Sequence, residues 1–203
     1  MGISERKQKH KEQIKANILQ TAWHIVLQQG WQSLSVRNIA EAIEYSVPVI
    51  YSHFVSKEEL LKEFYKEGFR LLGEELIKSK QRHRTPENQL FAMGKAYWDF
   101  AFTNKEYYQL MFGVNMECCF RGEMTEEKIA VRELMKTAIG RVVEENNTRV
   151  DIGLKTSTWW CILHGMVSIN FTDRLMKEEG RMERVLDDAI ESFIYSLKVQ
   201  ELK

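Results

Sequence analysis

The chain has 203 residues, enough for one large domain or two small ones. Hydrophobic residues make up 44% and charged residues 29%, a balance typical of a globular protein, and no apolar run is long enough to span a bilayer. The net charge is zero, but residues 1–57 hold seven Lys and Arg against four Asp and Glu, a net charge of +3. This local excess of positive charge suits contact with phosphate.

The first twelve residues are polar and basic and contain no apolar signal core, so no export is expected. The same segment suits an arm that contacts DNA. Three cysteines in such a chain argue against a disulfide framework. We therefore expect a cytoplasmic protein without membrane association.

Apolar residues recur at three- and four-residue spacing almost throughout, which predicts an all-α fold of about nine helices. The chain has only two prolines, and no alternating strand pattern persists. The predicted helices cover, approximately, residues 11–29, 36–43, 47–54, 57–80, 86–103, 105–112, 125–145, 151–179 and 182–199.

Two short helices joined by a tight turn are predicted between residues 35 and 54. Ser35 can cap the first helix and Ser46 the second, and the turn between them falls at residues 44–45. Ser56 can then cap a longer helix. Helices this short bury little on their own, and they have the geometry of a helix-turn-helix, whose second helix lies in a DNA major groove.

This segment resembles the DNA-binding domain of the TetR family of bacterial transcriptional regulators. The matching stretches are S-V-R-N-I-A at 35–40, Ser46, I-Y-S-H-F at 50–54 and S-K-E-E-L at 56–60. Family members usually carry glycine where this chain has Glu44. Either the turn is built differently here, or a left-handed residue that is disfavoured by about 1 kcal/mol is tolerated.

The resemblance implies a three-helix DNA-binding domain at residues 1–57 and a larger helical ligand-binding and dimerisation domain at 58–203. Tyr51 is expected to contact phosphate, with packing inside the small domain as the alternative. The base-reading surface has side chains that offer only apolar contact, for example to thymine methyls, so polar readout would fall to Arg37 or Tyr45. The predicted DNA-binding residues are Ser35, Arg37, Tyr45, Ser46, Val47, Pro48, Val49, Tyr51, His53 and Lys57.

The predicted helix 151–179 is apolar on most of its circumference, so it must be buried on several sides. Together with an apolar stripe on the last helix it predicts a four-helix dimer interface. Trp160 and His164-Gly165 resemble the W-x-x-x-H-G signature of one C-terminal subclass of TetR-like regulators, the WHG type. The predicted interface residues are Trp159, Leu163, Val167, Phe171, Leu186, Ile190, Phe193 and Leu197.

Large, soft side chains are unusually dense in residues 91–120, which is typical of a pocket for a flat or greasy effector. The same spacing is also typical of a core, so for each aromatic residue both assignments stay open. His164 is expected to be a buried hydrogen-bonding residue rather than a catalyst. The predicted effector-binding residues are Phe64, Tyr97, Trp98, Tyr107, Tyr108, Met111, Phe112, Met116, Trp160 and His164.

Cys118 and Cys119, with Cys161, invite a redox or metal interpretation. Adjacent cysteines rarely bridge each other, and no ligand spacing is recognisable, so neither a metal nor another cofactor is predicted. The sequence has no nucleophile–base pair, glycine-rich phosphate loop or paired carboxylates, so no enzyme is predicted.

The sequence predicts a ligand-responsive regulator, more specifically a repressor, that binds a palindromic operator as a homodimer and is released by a small, mostly hydrophobic effector. Two alternatives stay open. One is a DNA-binding regulator without an effector, and the other is a thiol-based redox sensor that uses Cys118 and Cys119.

Overall fold

The computed structural model describes residues 2–113, 120, 123–172 and 180–199. Within these ranges the chain is helical and contains no strand, which confirms the predicted all-α class. A single 3-10 turn covers Trp31–Ser33. The α-helices are α1 (Ile3–Gln29), α2 (Val36–Ala42), α3 (Val47–Tyr51), α4 (Lys57–Gln81), α5 (Pro86–Thr103), α6 (Lys105–Phe112), α7 (Glu126–Glu145), α8 (Ile152–Thr172) and α9 (Arg181–Lys198).

Helix α1 begins at Ile3, well before the start near residue 11 that the apolar pattern predicts. Residues 4–13 of this helix are all polar, so they leave no periodic apolar signal. They are helical because Lys, Arg, Gln and Glu are good helix formers. The Gln8 amide also donates to the Glu12 carboxylate at 2.8 Å across one turn. The basic N-terminal segment is therefore part of a helix and not a separate arm.

Side-chain caps determine where several helices begin, and the cap predicted at Ser35 is one of them. The hydroxyls of Ser35, Thr85 and Thr125 each accept a hydrogen bond from the amide three residues on, at 3.1, 3.3 and 3.3 Å. The Ser56 hydroxyl accepts from the Glu59 amide at 3.2 Å, and the Glu59 carboxylate accepts from the amide of Val55. This is a variant of the predicted capping box.

The chain divides into two compact units, residues 1–65 and 66–203. Helix α4 contributes to both, because it begins at Lys57 and ends at Gln81. The predicted domain boundary after residue 57 stays a prediction. No helix in the described ranges combines the length and the apolar character that a membrane span requires.

In the N-terminal unit, α1, α2, α3 and the start of α4 share one core. Three rings meet at its centre: Trp23 stacks on Phe64 at 5.6 Å between ring centroids, and Trp31 lies 5.7 Å from Phe64. The other fully buried apolar side chains come from the four helices and from the segments between them, and include Ile18, Ala22, Leu34, Ile39, Ile50, Phe54 and Leu60.

In the C-terminal unit, α5 packs against α6, α7, α8 and α9, and α7 packs against α8 and α9. Gly94 on α5 lies where three helices come closest. A Cβ atom at this position would lie 2.6 Å from Ile190 Cδ1 and 3.0 Å from Trp159 Cη2. The helices therefore approach this closely only because α5 has no side chain at that point.

Replacing Gly94 by Ala should lower the free energy of unfolding by roughly 1–3 kcal/mol, because the added methyl group overpacks a filled core. Gly140 on α7 is the matched control, since a Cβ there meets nothing within 4 Å. Gly140→Ala should stabilise the protein by up to about 1 kcal/mol through helix propensity. Urea unfolding measures both, and equal effects of the two changes would contradict the close approach.

Candidate DNA interface and effector site

The start of α2 is held by two side chains. The Ser35 hydroxyl accepts from the Asn38 amide at 3.1 Å, and the Asn38 side chain donates to the Ser33 carbonyl at 3.0 Å. The Ser35 hydroxyl is therefore engaged as the cap of α2. Arg37 points to solvent and pairs with Glu41 at 3.2 Å. Such an exposed pair is weak, so the guanidinium can exchange Glu41 for a phosphate at little cost.

The turn between α2 and α3 has the geometry that glycine usually provides. Glu44 has φ of 59°, in the left-handed region. The Tyr45 amide donates to the Ala40 carbonyl at 2.9 Å, and the Glu44 amide donates to the Glu41 carbonyl at 3.2 Å. These two bonds form a Schellman motif that ends α2. The chain thus tolerates a non-glycine left-handed residue, at a cost of about 1–2 kcal/mol.

Helix α3 presents an apolar surface to solvent. Ile50 is buried and anchors the helix to the core, whereas Pro48 is exposed and Val47 and Val49 are half-buried. Tyr51 is 49% exposed, so it is not packed wholly inside the unit, and its phosphate contact stays a prediction. Tyr45 and Ser46 are exposed beside it, and the Ser46 side chain makes no capping hydrogen bond.

His53 lies at the end of α3 and is half-buried. Burial lowers the pKa of His53, and the positive charges of Lys11 and Lys15 on α1 lower this pKa further. The imidazole is therefore neutral near pH 7, so it can hydrogen bond to a phosphate but brings no charge to it. Lys57, at the start of α4, is half-buried and would supply positive charge at the same end of α3.

In the C-terminal unit, three polar groups form a hydrogen-bonded chain inside the aromatic cluster. The Tyr97 and Tyr108 hydroxyls lie 3.2 Å apart, and the Tyr108 hydroxyl lies 2.8 Å from His164 Nδ1. Burial raises the pKa of both tyrosines and lowers the pKa of His164. All three groups are therefore neutral near pH 7. In this state each hydroxyl can donate or accept, and the direction of the bond between Tyr108 and His164 depends on which ring nitrogen carries the proton.

A cavity of about 320 Å³ adjoins this cluster, between the end of α6, α7 and α8. Phe112 and Trp160 separate it from the polar chain, because both rings pack against Tyr97, at 6.4 and 6.1 Å. The opposite side of the cavity carries Lys128 and Arg132, one turn apart on α7. The other lining residues are Met124, Thr156, Ser157 and Cys161.

Two sequence families match the chain. The family described as bacterial regulatory proteins, tetR family, matches residues 18–64. The family described as tetracyclin repressor-like, C-terminal domain, matches residues 90–193, more than half of the chain. The chain belongs to the TetR family. TetR-family members are DNA-binding transcriptional regulators, so this protein is a regulator and not an enzyme. No curated protein matches the sequence.

Solved structures agree with the TetR fold over nearly the whole chain. A protein of unknown function from Rhodococcus sp. RHA1 has a TM-score of 0.77 at 19% identity, covering 91% of this chain and 95% of that chain. The TetR-family regulator PfmR from Thermus thermophilus has a TM-score of 0.62 at 21% identity, covering 92% and 99%. AibR in complex with isovaleryl coenzyme A and operator DNA has a TM-score of 0.57 at 17% identity, covering 88% and 96%.

The structure separates the predicted effector residues into three groups. Phe112 and Trp160 line the cavity of this TetR-family protein. Phe64 packs between Trp23 and Trp31 in the N-terminal unit, and Met116, like Cys118 and Cys119, lies outside the described residues. The remaining members belong to the filled aromatic cluster or its edge: Tyr97, Trp98, Tyr107, Tyr108, Met111 and His164.

The cavity also has lining residues that sequence reasoning missed. Lys128 and Arg132 lie on an amphipathic helix, where charged residues usually face solvent, so no pattern distinguished them. Thr156 and Ser157 lie one turn before Trp160 and Cys161 on α8, so helical spacing places them on the same face. As small polar residues they gave no signal of a pocket in the sequence.

Most of the predicted dimer-contact residues are buried inside the single chain. Seven of these side chains are at most 4% exposed within the single chain, so they form the core of the C-terminal unit: Trp159, Leu163, Val167, Leu186, Ile190, Phe193 and Leu197. The eighth, Phe171, is half-buried and stacks on Phe102 at 5.1 Å. The strongest apolar stripes of α8 and α9 therefore face inward, and a partner subunit would need the other faces of these helices.

The lowered pKa of His164 predicts that acid destabilises the protein. The unfolded chain binds a proton near pH 6.5, whereas the folded chain binds it only at lower pH. Stability is thus full above about pH 6.5 and falls as the pH drops below it. His53 acts in the same direction. Replacing His164 by Gln should make the loss of stability between about pH 7.5 and pH 5.5 smaller.

Urea unfolding at several pH values measures this dependence. His83→Gln, at an exposed site near the end of α4, is the control and should keep the full dependence of the wild type. An unchanged pH dependence in His164→Gln would remove His164 as a source of the acid sensitivity.

Proposed function

We propose that the protein is a homodimeric transcriptional repressor that binds a palindromic operator and is released by a small effector. The observation that carries this proposal is the pair of short helices α2 and α3, locked by the turn at Glu44, with an exposed surface on α3 beside Tyr51. A helix presented in this way fits a major groove. The cavity lined by Phe112 and Trp160 supports an effector in the second unit.

Base recognition by α3 would be mostly apolar. Val47 and Pro48 carry no hydrogen-bonding side chain, so they suit thymine methyl groups in the major groove. Tyr45, which is 40% exposed, and Arg37 are the polar side chains placed near enough in the chain to add hydrogen bonds. Tyr51 and Lys57 would fix the register of the helix by binding phosphate.

Dimerisation would use the outward faces of α8 and α9. A stripe of small or apolar residues on α8 remains exposed or half-buried at three- and four-residue spacing: Leu154, Thr158, Cys161, Gly165 and Ile169. Val185 and Tyr195 are exposed on α9, at 44% and 69%. Two copies of these faces, related by a two-fold axis, would form a four-helix interface and place two α3 helices for a palindrome.

The effector would enter the cavity beside Trp160. Its apolar part would contact the rings of Phe112 and Trp160, and Lys128 or Arg132 would face any polar group that it carries. A TetR-fold structure, that of AibR, holds both isovaleryl coenzyme A and operator DNA, which supports the combination of the two binding functions in one chain. The effector would bind the DNA-binding state and the released state of the protein with different affinities, and would so shift the populations of the two states.

The first experiment is selection of bound sites from a random DNA pool by the full-length protein. We expect a palindromic enriched site. Tyr51→Ala and Lys57→Ala should weaken binding to all sequences alike, and Lys57→Ala, which removes a positive charge, should also flatten the salt dependence by about one contact per protomer. Phe91→Ala, in the other unit, is the control. A changed sequence preference in Tyr51→Ala would contradict its assignment to phosphate, and no enriched site would contradict the proposed function.

The dimer proposal makes a separate prediction. Leu154→Asp or Ile169→Asp should convert the dimer to monomers in sedimentation velocity, because a carboxylate would be buried without a partner. Ile129, 42% exposed on α7, is a matched control, and Ile129→Asp should remain dimeric. A dimer that survives both changes on α8 would remove this face from the interface.

The effector proposal is tested by thermal unfolding with a panel of phenols, aromatic carboxylates and short acyl compounds. A true effector at 100 times its Kd stabilises the protein by about 2.7 kcal/mol and should also weaken binding to the selected site. Trp160→Ala should abolish the stabilisation. Phe91→Ala, in a separate groove between α4 and α5, should keep it. A stabiliser that leaves DNA affinity unchanged would favour the effector-free alternative.

A further inference from the structure

The inward face of α1 changes character along the helix. Ile18, Ala22 and Val26 are at most 1% exposed and pack in the core of the N-terminal unit. Residues of an α-helix turn by about 100° per position, so Lys7, Lys11 and Lys15 project within about 60° of Ile18. The face that holds the core thus continues toward the N-terminus as a line of lysines.

Lys15 shows where this lysine face lies within the unit. Its Nζ is 3.2 Å from Glu63 Oε1 and 5.2 Å from the centroid of the Phe54 ring. Phe54 directly follows His53, whose pKa is lowered first by burial and then by the charges of Lys11 and Lys15. The lysine face therefore runs past the end of α3, next to a residue that the family resemblance assigns to phosphate contact.

Lys7 and Lys11 lie beyond this anchored residue. Both are exposed, and neither forms an ion pair with a described residue. The acidic groups nearby in sequence have local partners, because Glu5 accepts from the Gly2 amide and Glu12 accepts from the Gln8 side chain. From Lys15 to Lys7 the helix advances about 12 Å. The result is a row of available positive charge that leads away from the end of α3.

We propose that Lys7 and Lys11 form a second DNA-contact surface, which binds the phosphate backbone beside the groove that α3 enters. Both residues precede the segment 18–64 that matches the TetR family, so this surface lies outside the matched helix-turn-helix segment. Lysine binds phosphate as a point charge without reading the base sequence. The surface raises affinity for all duplex DNA and leaves the choice of operator to α3. The inference rests on the DNA binding proposed above.

The opposite side of α1 supplies a matched control. Lys9 projects about 180° from Ile18, and Arg6 about 120° from it on the outer side. The double variants Lys7→Ala/Lys11→Ala and Arg6→Ala/Lys9→Ala remove the same charge from the same helix segment. Alanine is a strong helix former, so both should keep α1 intact, which circular dichroism verifies.

The measurement is the affinity of the full-length protein for a random-sequence DNA duplex over a range of salt concentrations. Each lost phosphate contact should reduce the slope of log K against log salt by about 0.9, so Lys7→Ala/Lys11→Ala should reduce it by roughly 1.8 per protomer. Its affinity at about 150 mM salt should fall about tenfold or more. Arg6→Ala/Lys9→Ala should change the slope by much less.

Equal losses in the two double variants would overturn the proposal, because a general effect of net charge would then explain both. If Lys7→Ala/Lys11→Ala bound duplex DNA with the affinity and salt slope of the wild type, while Tyr51→Ala weakened binding in the same assay, the lysine surface alone would be overturned. If the intact protein bound no duplex DNA, the proposed function would fail together with the inference.

Discussion

The position of α3 depends on two backbone hydrogen bonds in the turn before it. A helix of five residues has too few internal bonds to hold its own direction. The bonds from Tyr45 to Ala40 and from Glu44 to Glu41 fix the angle at which the chain leaves α2, and Ile50 then anchors α3 to the core. Every DNA contact proposed for α3 follows from this geometry. Glu44 adopts the left-handed backbone conformation of this turn although it carries a side chain. The fold therefore stores a small amount of backbone strain at the DNA-binding element.

The C-terminal unit combines a filled interior with a neighbouring empty space. The hydroxyls of Tyr97 and Tyr108 and Nδ1 of His164 hydrogen bond to one another, and the three groups are neutral near pH 7. Trp160 and Phe112 lie between these three hydrogen-bonded side chains and the cavity. A ligand that displaces either ring would therefore expose buried hydrogen-bonding groups. A ligand would need either to leave both rings in place or to offer hydrogen bonds of its own.

Much of the fold could be predicted from the sequence because local signals and tertiary structure agree. Ser35 and Ser56 are strong caps whose effect does not depend on the rest of the chain. The start of α1 was missed because its first turns carry no apolar periodicity. The inward faces of α8 and α9 were assigned to a partner subunit because an apolar stripe looks the same whether it packs on its own core or on another chain. Only burial within the folded unit, as at Phe193, distinguishes the two.

Gly68 on α4 is the site of a close contact between α4 and α6. A Cβ at this position would lie 2.6 Å from Met111 Sδ and 3.4 Å from Tyr107 Cβ, so α6 rests on the backbone of α4 at this point. The side chain that lies between the two helices here is that of Met111, which can change its rotamer, whereas Gly68 offers only backbone. Phe112, which lines the cavity, directly follows Met111. A ligand that shifts α6 would therefore also move Met111 against the main chain of α4 at Gly68.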